Sequence, residues 1–531
     1  MLNRRLVYNL SALYEALILL SVSVVRSAYR SHLKRFSSDI GMLRVCGASR
    51  RQISALFAAE LAAAFLLAAA CAVVISILSL KALFTAFLEI RHDSLSEPRN
   101  RAKKISQMKR KEVLRMKKQW IAIFLCLSLL ATGLLGLTGC AAKVQADDLM
   151  KDITPGEVSG RAADDAFKNG AADFALRLFQ NTREGEKNSL ISPLSVMLAL
   201  SMTANGAKGE TLAQLEALLA SGIPIDELNE YLHAYVGNLP SSEKAKLTMA
   251  NSIWFKDSGF TVEEDFLQRN ADYYGAAAYQ SAFDEKTLRD INNWVKENTD
   301  GIIDKIVDQM DSYAVMYLVN TVLFDAEWQN IYHKHEVRDG TFTAIDGAKR
   351  TVSMMYSNES LYLDDGKATG FLKPYKNGYS FTALLPNEGV ALDDYIASLT
   401  GEGFLTTVKN AKEVPLEAAM PKFSYDYGIE MSETLKALGM TVPFDAALAD
   451  FSGLGHSSDG NIYISCVLHK AYIAVDEKGT KAGAATAIEV PAAGDWEDRR
   501  RVILDRPFVY AIIDDATGLP IFIGAVTDIQ K

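Results

Sequence analysis

Few of the reactive side chains in this 531-residue sequence stand at a spacing that marks a catalytic or metal site. No Gly-x-Ser-x-Gly turn presents a nucleophilic serine. His333 and His335 are two apart, which on a strand places both on one face, but no third ligand lies nearby and surface imidazoles are the expectation. The cysteines Cys46, Cys71, Cys126, Cys140 and Cys466 are too scattered for a disulfide framework, and no pair has metal-ligand spacing. No metal site, cofactor or redox chemistry is expected from these residues.

One segment is patterned in a way that chemistry done by another molecule could use. Between Val475 and Arg506-Pro507 the sequence reads DEKGTKAGAATAIEVPAAGDWEDRRRVILD, with no helix signal, and a connection that long is usually functional or disordered. Thr480, Ala482, Ala484, Thr486, Ile488 and Val490 fall on one parity, all small or β-branched. Lys481, Gly483, Ala485, Ala487, Glu489 and Pro491 fall on the other. One face suits burial and the other water, so the loop is written as a strand. Its small side chains from Thr480 to Ala485 would slip between existing strands with little volume opened for them. Eleven residues span roughly 36 Å, and Pro491, which cannot donate to a ladder, falls just beyond.

The rest of the chain must position that segment, and it is uneven. Hydrophobic residues at 49 % and charged ones at 23 % are those of a globular protein, whereas a mean hydropathy of +0.04 points to membrane segments. Residues 1–118 hold 21 Lys/Arg against 7 Asp/Glu, a net of +14, which leaves 35 against 58 in the remainder, a net of −23. That acidic body argues against a nucleic-acid partner, because phosphate binding needs a basic face. Leu6 to Val25, Ile53 to Leu80 and Gln119 to Gly139 are each long enough to span a bilayer as a transmembrane helix. The first two carry one acid each, Glu15 and Glu60, expected to face a partner helix. The loop between them has seven Lys/Arg against one acid and belongs in the cytoplasm, yet the stretch Arg91 to Lys118, with eleven against three, would then lie outside. Two basic flanks on opposite sides of one helix conflict, so the chain reads as two units joined, the second starting at Met116.

Periodicity organises the body. A polar, turn-rich stretch to about residue 160 reads as a tether. AADDAFKNGAADFALRLFQNT sets Phe167, Phe174, Ala175, Leu178 and Phe179 on one helical face, Ser192-Pro193 opens a second helix ending at Gly206, and a third begins at Thr211-Leu212. Later segments alternate in period two: LTMANSIWF, VMYLVNTVLF, FTALLP, VPLEAAMPKFSY, IYISCVLHKAYIAV, FVYAIID and IFIGAV. Helices first and many strands later, without a βαβ rhythm, predict an α+β fold with large, mainly antiparallel sheets.

These segments carry a resemblance. NSLISPLSV (Asn188–Val196), NGAKGET (Asn205–Thr211), LVNTVLF (Leu318–Phe324) with Trp328, MPKF (Met420–Phe423), LGM (Leu438–Met440), ADFSGL (Ala449–Leu454), DRPF (Asp505–Phe508) and FIGAV (Phe522–Val526) resemble serpin motifs, in serpin order, over about 370 residues. The resemblance implies the serpin fold and a suicide-substrate inhibitor of serine proteases, with cysteine proteases as a second class. In inhibitory members a target protease attacks an exposed reactive-centre loop as substrate, the cleaved loop enters the main sheet before the acyl-enzyme hydrolyses, and no catalytic residue of the inhibitor is required, so the resemblance implies a protein that is not an enzyme. It implies a hinge at Glu477, Gly479, Thr480, Ala482, Gly483, Ala484 and Ala485, and a scissile bond Ala493–Gly494 about sixteen residues after Glu477. Ala492-Ala493 suits an elastase-like or subtilisin-like pocket. The stretch from Ala493 to Pro507 is about three residues longer than usual, which could move the bond toward Trp496, and a trypsin-like cut at Arg499, Arg500 or Arg501 is the alternative. Ser192, Asn320 and His469 are implied where the sheet opens, with Trp328 at its top.

Two further resemblances concern the N-terminal part. DIGMLRVCGASRRQISALFAAELAAAFLLAAA (Asp39–Ala70) is similar to the loop and following span of FtsX-like permease domains of ABC transporters, over residues 1–90, with 91–115 a basic linker. MKKQWIAIFLCLSLLATGLLGLTGC resembles a bacterial lipoprotein signal peptide over 116–139, with Leu137-Thr138-Gly139 before a lipidated Cys140. That places a tether at 140–160 and a monomeric domain at 161–531 on the outer side of a bacterial membrane, lipid-anchored or released. The competing readings are a non-inhibitory serpin acting as a binding module and, for residues 1–90 alone, a permease fragment.

Overall fold

The computed structural model describes residues 144–311, 313–458, 460–480 and 500–529. The three expected spans, the basic linker, the signal segment and Cys140 lie outside the described residues, as do Lys481 to Arg499. The chain divides into a unit ending at Thr138 and a second from Gly139 to Lys531, and it is the second that is described. Among the described residues no helix is long and apolar enough to cross a membrane.

The helices begin where their caps stand. The Asp164 side chain accepts from the Phe167 N–H at 3.0 Å and opens Asp165–Asn181, whose buried face carries the expected Phe167, Phe174, Ala175, Leu178 and Phe179. Ser192 Oγ accepts from the Ser195 N–H at 3.4 Å, with Pro193 in the first turn of Pro193–Ala204. All twelve residues of that helix are buried, as expected of one that is apolar nearly all round apart from Ser195, Ser201 and Thr203. The third helix starts at Gly209, two residues before the expected Thr211.

The strands are numbered in chain order. First come β1 (Asp147–Asp148), β2 (Ser189–Ile191), β3 (Ala245–Lys256), β4 (Phe260–Val262), β5 (Ala277–Ser281) and β6 (Met316–Glu327). Next are β7 (Val337–Thr343), β8 (Lys349–Asp364), β9 (Ala368–Pro374), β10 (Tyr379–Pro386), β11 (Lys412–Pro421) and β12 (Phe423–Glu430). Last are β13 (Gly455–Ser457), β14 (Cys466–Val475), β15 (Gly479–Thr480), β16 (Arg500–Ile503), β17 (Phe508–Asp514) and β18 (Pro520–Val526). A seven-stranded sheet runs β1-β5-β3-β6-β15-β14-β12, with β6 also paired to β14. A nine-stranded sheet holds β16-β11-β8-β9-β10-β17-β18-β2, with β7 on β8, and β13 pairs with β4 apart from both. Pairing is mainly antiparallel; β3–β5, β6–β14 and β11–β16 are parallel. This is the α+β arrangement of helices and large sheets that the patterning predicts.

The seven-stranded sheet is covered on both sides, which explains why β6 reads as an almost unbroken apolar run. Met316, Leu318, Val322, Phe324 and Ala326 face the main core with the buried helix, while Tyr317 and Val319 face a second cluster containing Trp254, Trp294 and Ile291. The stretch expected as a tether is attached to the body from Val144 onward. Asp147 and Asp148 pair with Gln280 and Tyr279 at the sheet edge, and Leu149, Met150 and Ile153 pack on the main core. Its scattered apolar residues, few enough to read as linker composition, are spaced to meet an exposed sheet edge.

Candidate functional site

The site is a seam between two parallel strands. β6 and β14 pair from Tyr317 opposite Cys466 to Val322 opposite Ala471. Beyond that point they part, and β15 lies between them, antiparallel to both: Gly479 opposite Glu327, Thr480 opposite Ala326, and Thr480 opposite Val475. Between β14 and β15 the chain reverses in three residues. Asp476 Oδ1 accepts the N–H groups of Lys478 at 2.7 Å and Gly479 at 3.3 Å, which sets the turn. Burial raises the Asp476 carboxyl above its ordinary value despite these bonds.

A receptor on the far end of β6 grips this turn. The Trp328 N–H donates to the Lys478 carbonyl at 2.8 Å, its indole N–H to Asp476 O at 2.9 Å, and the Tyr332 N–H to Glu477 O at 2.8 Å. Trp328 is fully buried and stacks on Tyr375, ring centres 4.2 Å apart, and the Tyr375 hydroxyl pairs with Thr480 Oγ1. Glu477 forms an ion pair with Lys422; burial opposes its charge, yet Lys422 and its own backbone bond hold the carboxyl below its usual value.

Lower in the seam, buried polar groups close the sheet. His469 and Asn320 are registered opposite each other, both 1 % exposed. The Ser192 N–H donates to His469 Nε2 at 3.2 Å, so that nitrogen is the acceptor and the proton sits on Nδ1, which donates to Asn320 Oδ1. Asn320 Nδ2 donates to Ser195 O at 2.8 Å and reaches Asn251 Oδ1 on β3. One network thus joins β3, β6, β14 and the N-terminus of the buried helix. Burial depresses the His469 pKa to about 3, because a charged ring there would be desolvated and would lose the Ser192 bond.

Of the residues named from sequence, Glu477, Gly479, Thr480 and Trp328 meet at the mouth of the seam, and Ser192, Asn320 and His469 meet lower down. Ala482, Gly483, Ala484, Ala485 and the bond Ala493–Gly494 lie outside the described residues. The pattern in period two continues into the sheet at its first member: Thr480 is already seated, 1 % exposed. Arg500 and Arg501 are in β16, paired with Leu416 and Glu417, so a cut beside them meets a backbone engaged in a ladder. His333 and His335 stack with ring centres 5.7 Å apart, and no cluster of metal-ligating side chains occurs among the described residues. Sequence reasoning missed Tyr332, Tyr375, Lys422 and Asn251. Lys422 stood inside a quoted motif, but only the fold brings it to Glu477, and nothing in the local sequence marks the two tyrosines.

Two outcomes follow from this geometry. A Cβ at Gly479 would collide with the Ala326 carbonyl on β6, so Gly479→Ala expels β15. Limited proteolysis at the Asp476–Thr480 turn then accelerates and stability drops by about 1–3 kcal/mol, the cost of an overpacked site; unchanged cleavage would contradict the seating. For His469, the unfolded ring binds its proton near pH 6.5 and the folded one near pH 3. Between those values the unfolded chain holds more protons, so stability falls as the pH is lowered, by about 3 kcal/mol from pH 7 to 4.5. His469→Gln removes this contribution, and denaturant titrations of the two proteins must show a gap that narrows as acid is added.

Comparisons with known proteins agree with the geometry. The family model described as serpin (serine protease inhibitor) matches residues 169–529, and that of the FtsX-like permease C-terminal matches residues 12–143. The second match runs past residue 90 and through the third apolar stretch, which the sequence alone assigned to a signal peptide. Leukocyte elastase inhibitor A of Mus musculus is 30 % identical over 372 residues, 66 % of this chain and 97 % of that protein. The crystal structure of the thermophilic serpin tengpin in its native state is 52 % identical, with a TM-score of 0.71 over 73 % of this chain and all of that one. The same serpin in its latent state is 48 % identical and gives 0.63 over 70 % of this chain and all of that one. A two-residue wedge above a closed parallel seam is thus found in a chain whose residues 169–529 match one family model: this chain belongs to the serpin family.

Proposed function

We propose that this protein is a suicide-substrate inhibitor of serine proteases with small specificity pockets, elastase-like or subtilisin-like, and that it traps the acyl-enzyme by completing the strand that β15 begins. The observation that carries this is the register of Thr480 opposite Ala326. Continued down the seam, that register sets Ala482 against Phe324, Ala484 against Val322, Thr486 against Asn320, Ile488 against Leu318 and Val490 against Met316. Every partner but Asn320 is an apolar side chain of the main core. Entry of the strand parts His469 from Asn320, and at that level alone the incoming face carries a hydroxyl, on Thr486, which offers the separated polar groups a new partner and avoids the cost of leaving them buried and unbonded. Small residues arrive where Phe324 and Val322 already fill the space.

The chemistry is the protease's own. Its serine Oγ attacks the Ala493 carbonyl, the bond to Gly494 breaks and its nitrogen leaves as an amine, and an ester joins the enzyme to Ala493. Eleven inserted residues then carry that ester roughly 36 Å, past the first residue of β6, before water completes the second half-reaction. The Ala492-Ala493 sequence and the likeness to a protein named leukocyte elastase inhibitor support the specificity. The stored difference between the loop outside and inside the sheet acts once and is a kinetic resource. We place the domain on the outer side of a bacterial membrane through lipidated Cys140, a reading supported by Leu137-Thr138-Gly139-Cys140 after an apolar run.

Incubation of the mature protein with elastase or subtilisin gives a complex that survives a denaturing gel. Nicking of the loop by a protease it does not trap raises the melting temperature by roughly 20 °C, from about 1 kcal/mol per added hydrogen bond and about 2 °C per kcal/mol in a large domain. Two fragments with active protease left over and no gain in heat resistance would instead identify a non-inhibitory binding module. Growth with labelled palmitate marks the wild-type protein and not Cys140→Ala; equal labelling of both would sink the anchor.

A further inference from the structure

A buried ion pair lies against the hinge receptor and has no part in the seam. The Lys373 side chain on β9 is 2 % exposed and that of Glu359 on β8 is 8 % exposed, with Nζ 2.7 Å from Oε1. Taking two such charges out of water costs several kcal/mol each, and apolar residues of the same volume often stabilise a site at least as well. Stability alone gives no reason for the pair.

Its surroundings give one. The Lys373 ammonium is 4.3 Å from the ring centre of Tyr332 and 5.5 Å from that of Trp328. Trp328 and Tyr332 are the two ends of a five-residue loop, and their backbone N–H groups are the donors that hold the Lys478 and Glu477 carbonyls. Between them, the Gln329 N–H donates to Pro374 O at 2.9 Å, tying the loop to the residue after Lys373. Ser357 Oγ donates to the same Glu359 oxygen at 2.7 Å and lies 3.4 Å from the Tyr332 hydroxyl, so the carboxylate is itself anchored. A cation against two ring faces in a dry site is attracted by both and orients both. A neutral side chain would fill the volume without doing so.

We propose that Lys373, held by Glu359, is a positioning residue for loop insertion: it fixes the spacing of the two backbone donors that grip the hinge turn, and so holds Thr480 at the mouth of the seam as the first inserted residue. This rests on the reading of the protein as an inserting inhibitor and names what sets the starting point of insertion.

The test is the double variant Lys373→Met/Glu359→Leu in the mature protein, which removes both charges so that neither is left buried and unpaired. Hydrogen exchange read by mass spectrometry is expected to quicken at least tenfold at the Trp328 and Tyr332 amides, with β17 and β18 unchanged and the melting temperature equal or higher. The number of inhibitor molecules consumed per protease trapped is expected to rise at least twofold at an unchanged rate of first attack. Unchanged protection at those two amides, or faster exchange spread equally over β17 and β18, would overturn the role. If the double variant does not fold, Tyr332→Leu keeps the ion pair and the backbone donor but removes one ring: faster exchange at residue 332 upholds the role, and wild-type exchange overturns it. Local loosening in a protein that traps no protease retains the positioning role and removes the inhibitory reading; a trapping wild type with an unaffected variant does the reverse.

Discussion

Two parallel strands hydrogen-bonded to each other, β6 and β14, are also the place where a further strand antiparallel to both can be accommodated. β15 occupies the first two positions of that place. A closed parallel pair is a weaker arrangement than three strands paired antiparallel on both sides. Below Thr480 the two parallel strands stay paired to each other, from Val322–Ala471 down to Tyr317–Cys466. His469 and Asn320 sit across the seam where opening would leave buried polar groups without partners, so the cost of parting is concentrated in one layer.

The receptor at the far end of β6 holds the turn that leads into the same seam. Trp328 and Tyr332 bind backbone carbonyls of the turn rather than its side chains, so the grip depends on where the chain runs and little on which residues form it. A buried ammonium beneath their rings is an expensive way to steady them. Such a group makes sense where the positions of two backbone donors must be held closely.

Much of the fold was legible because burial imposes period. The apolar face of Asp165–Asn181 and the Ser192 cap with its proline follow from local rules and appear where those rules place them, while β10, β17 and β18 stand where strands are expected but are buried on both faces rather than alternating. The segment 144–161 was not, since its few apolar residues gain meaning only against an edge supplied by β5, well over a hundred residues later. Part of the site was legible for a different reason. The even-numbered face from Thr480 to Val490 is small or β-branched throughout, and its first member, Thr480, is buried in the sheet. What it does not carry is the register, and a slip of one residue would put Lys481 where Thr480 is buried.

By itself the sequence determined that a strand-patterned segment lies near the carboxyl end of an α+β domain, because residue size and parity are local properties. Only the tertiary structure decided that Gly479 and Thr480 are already in the sheet, that Lys422 meets Glu477, and that Lys373 lies under the aromatic loop. Those contacts join positions tens to more than a hundred residues apart. A buried lysine is written like an exposed one, and its partner is chosen by how strands from distant parts of the chain are ordered across a sheet.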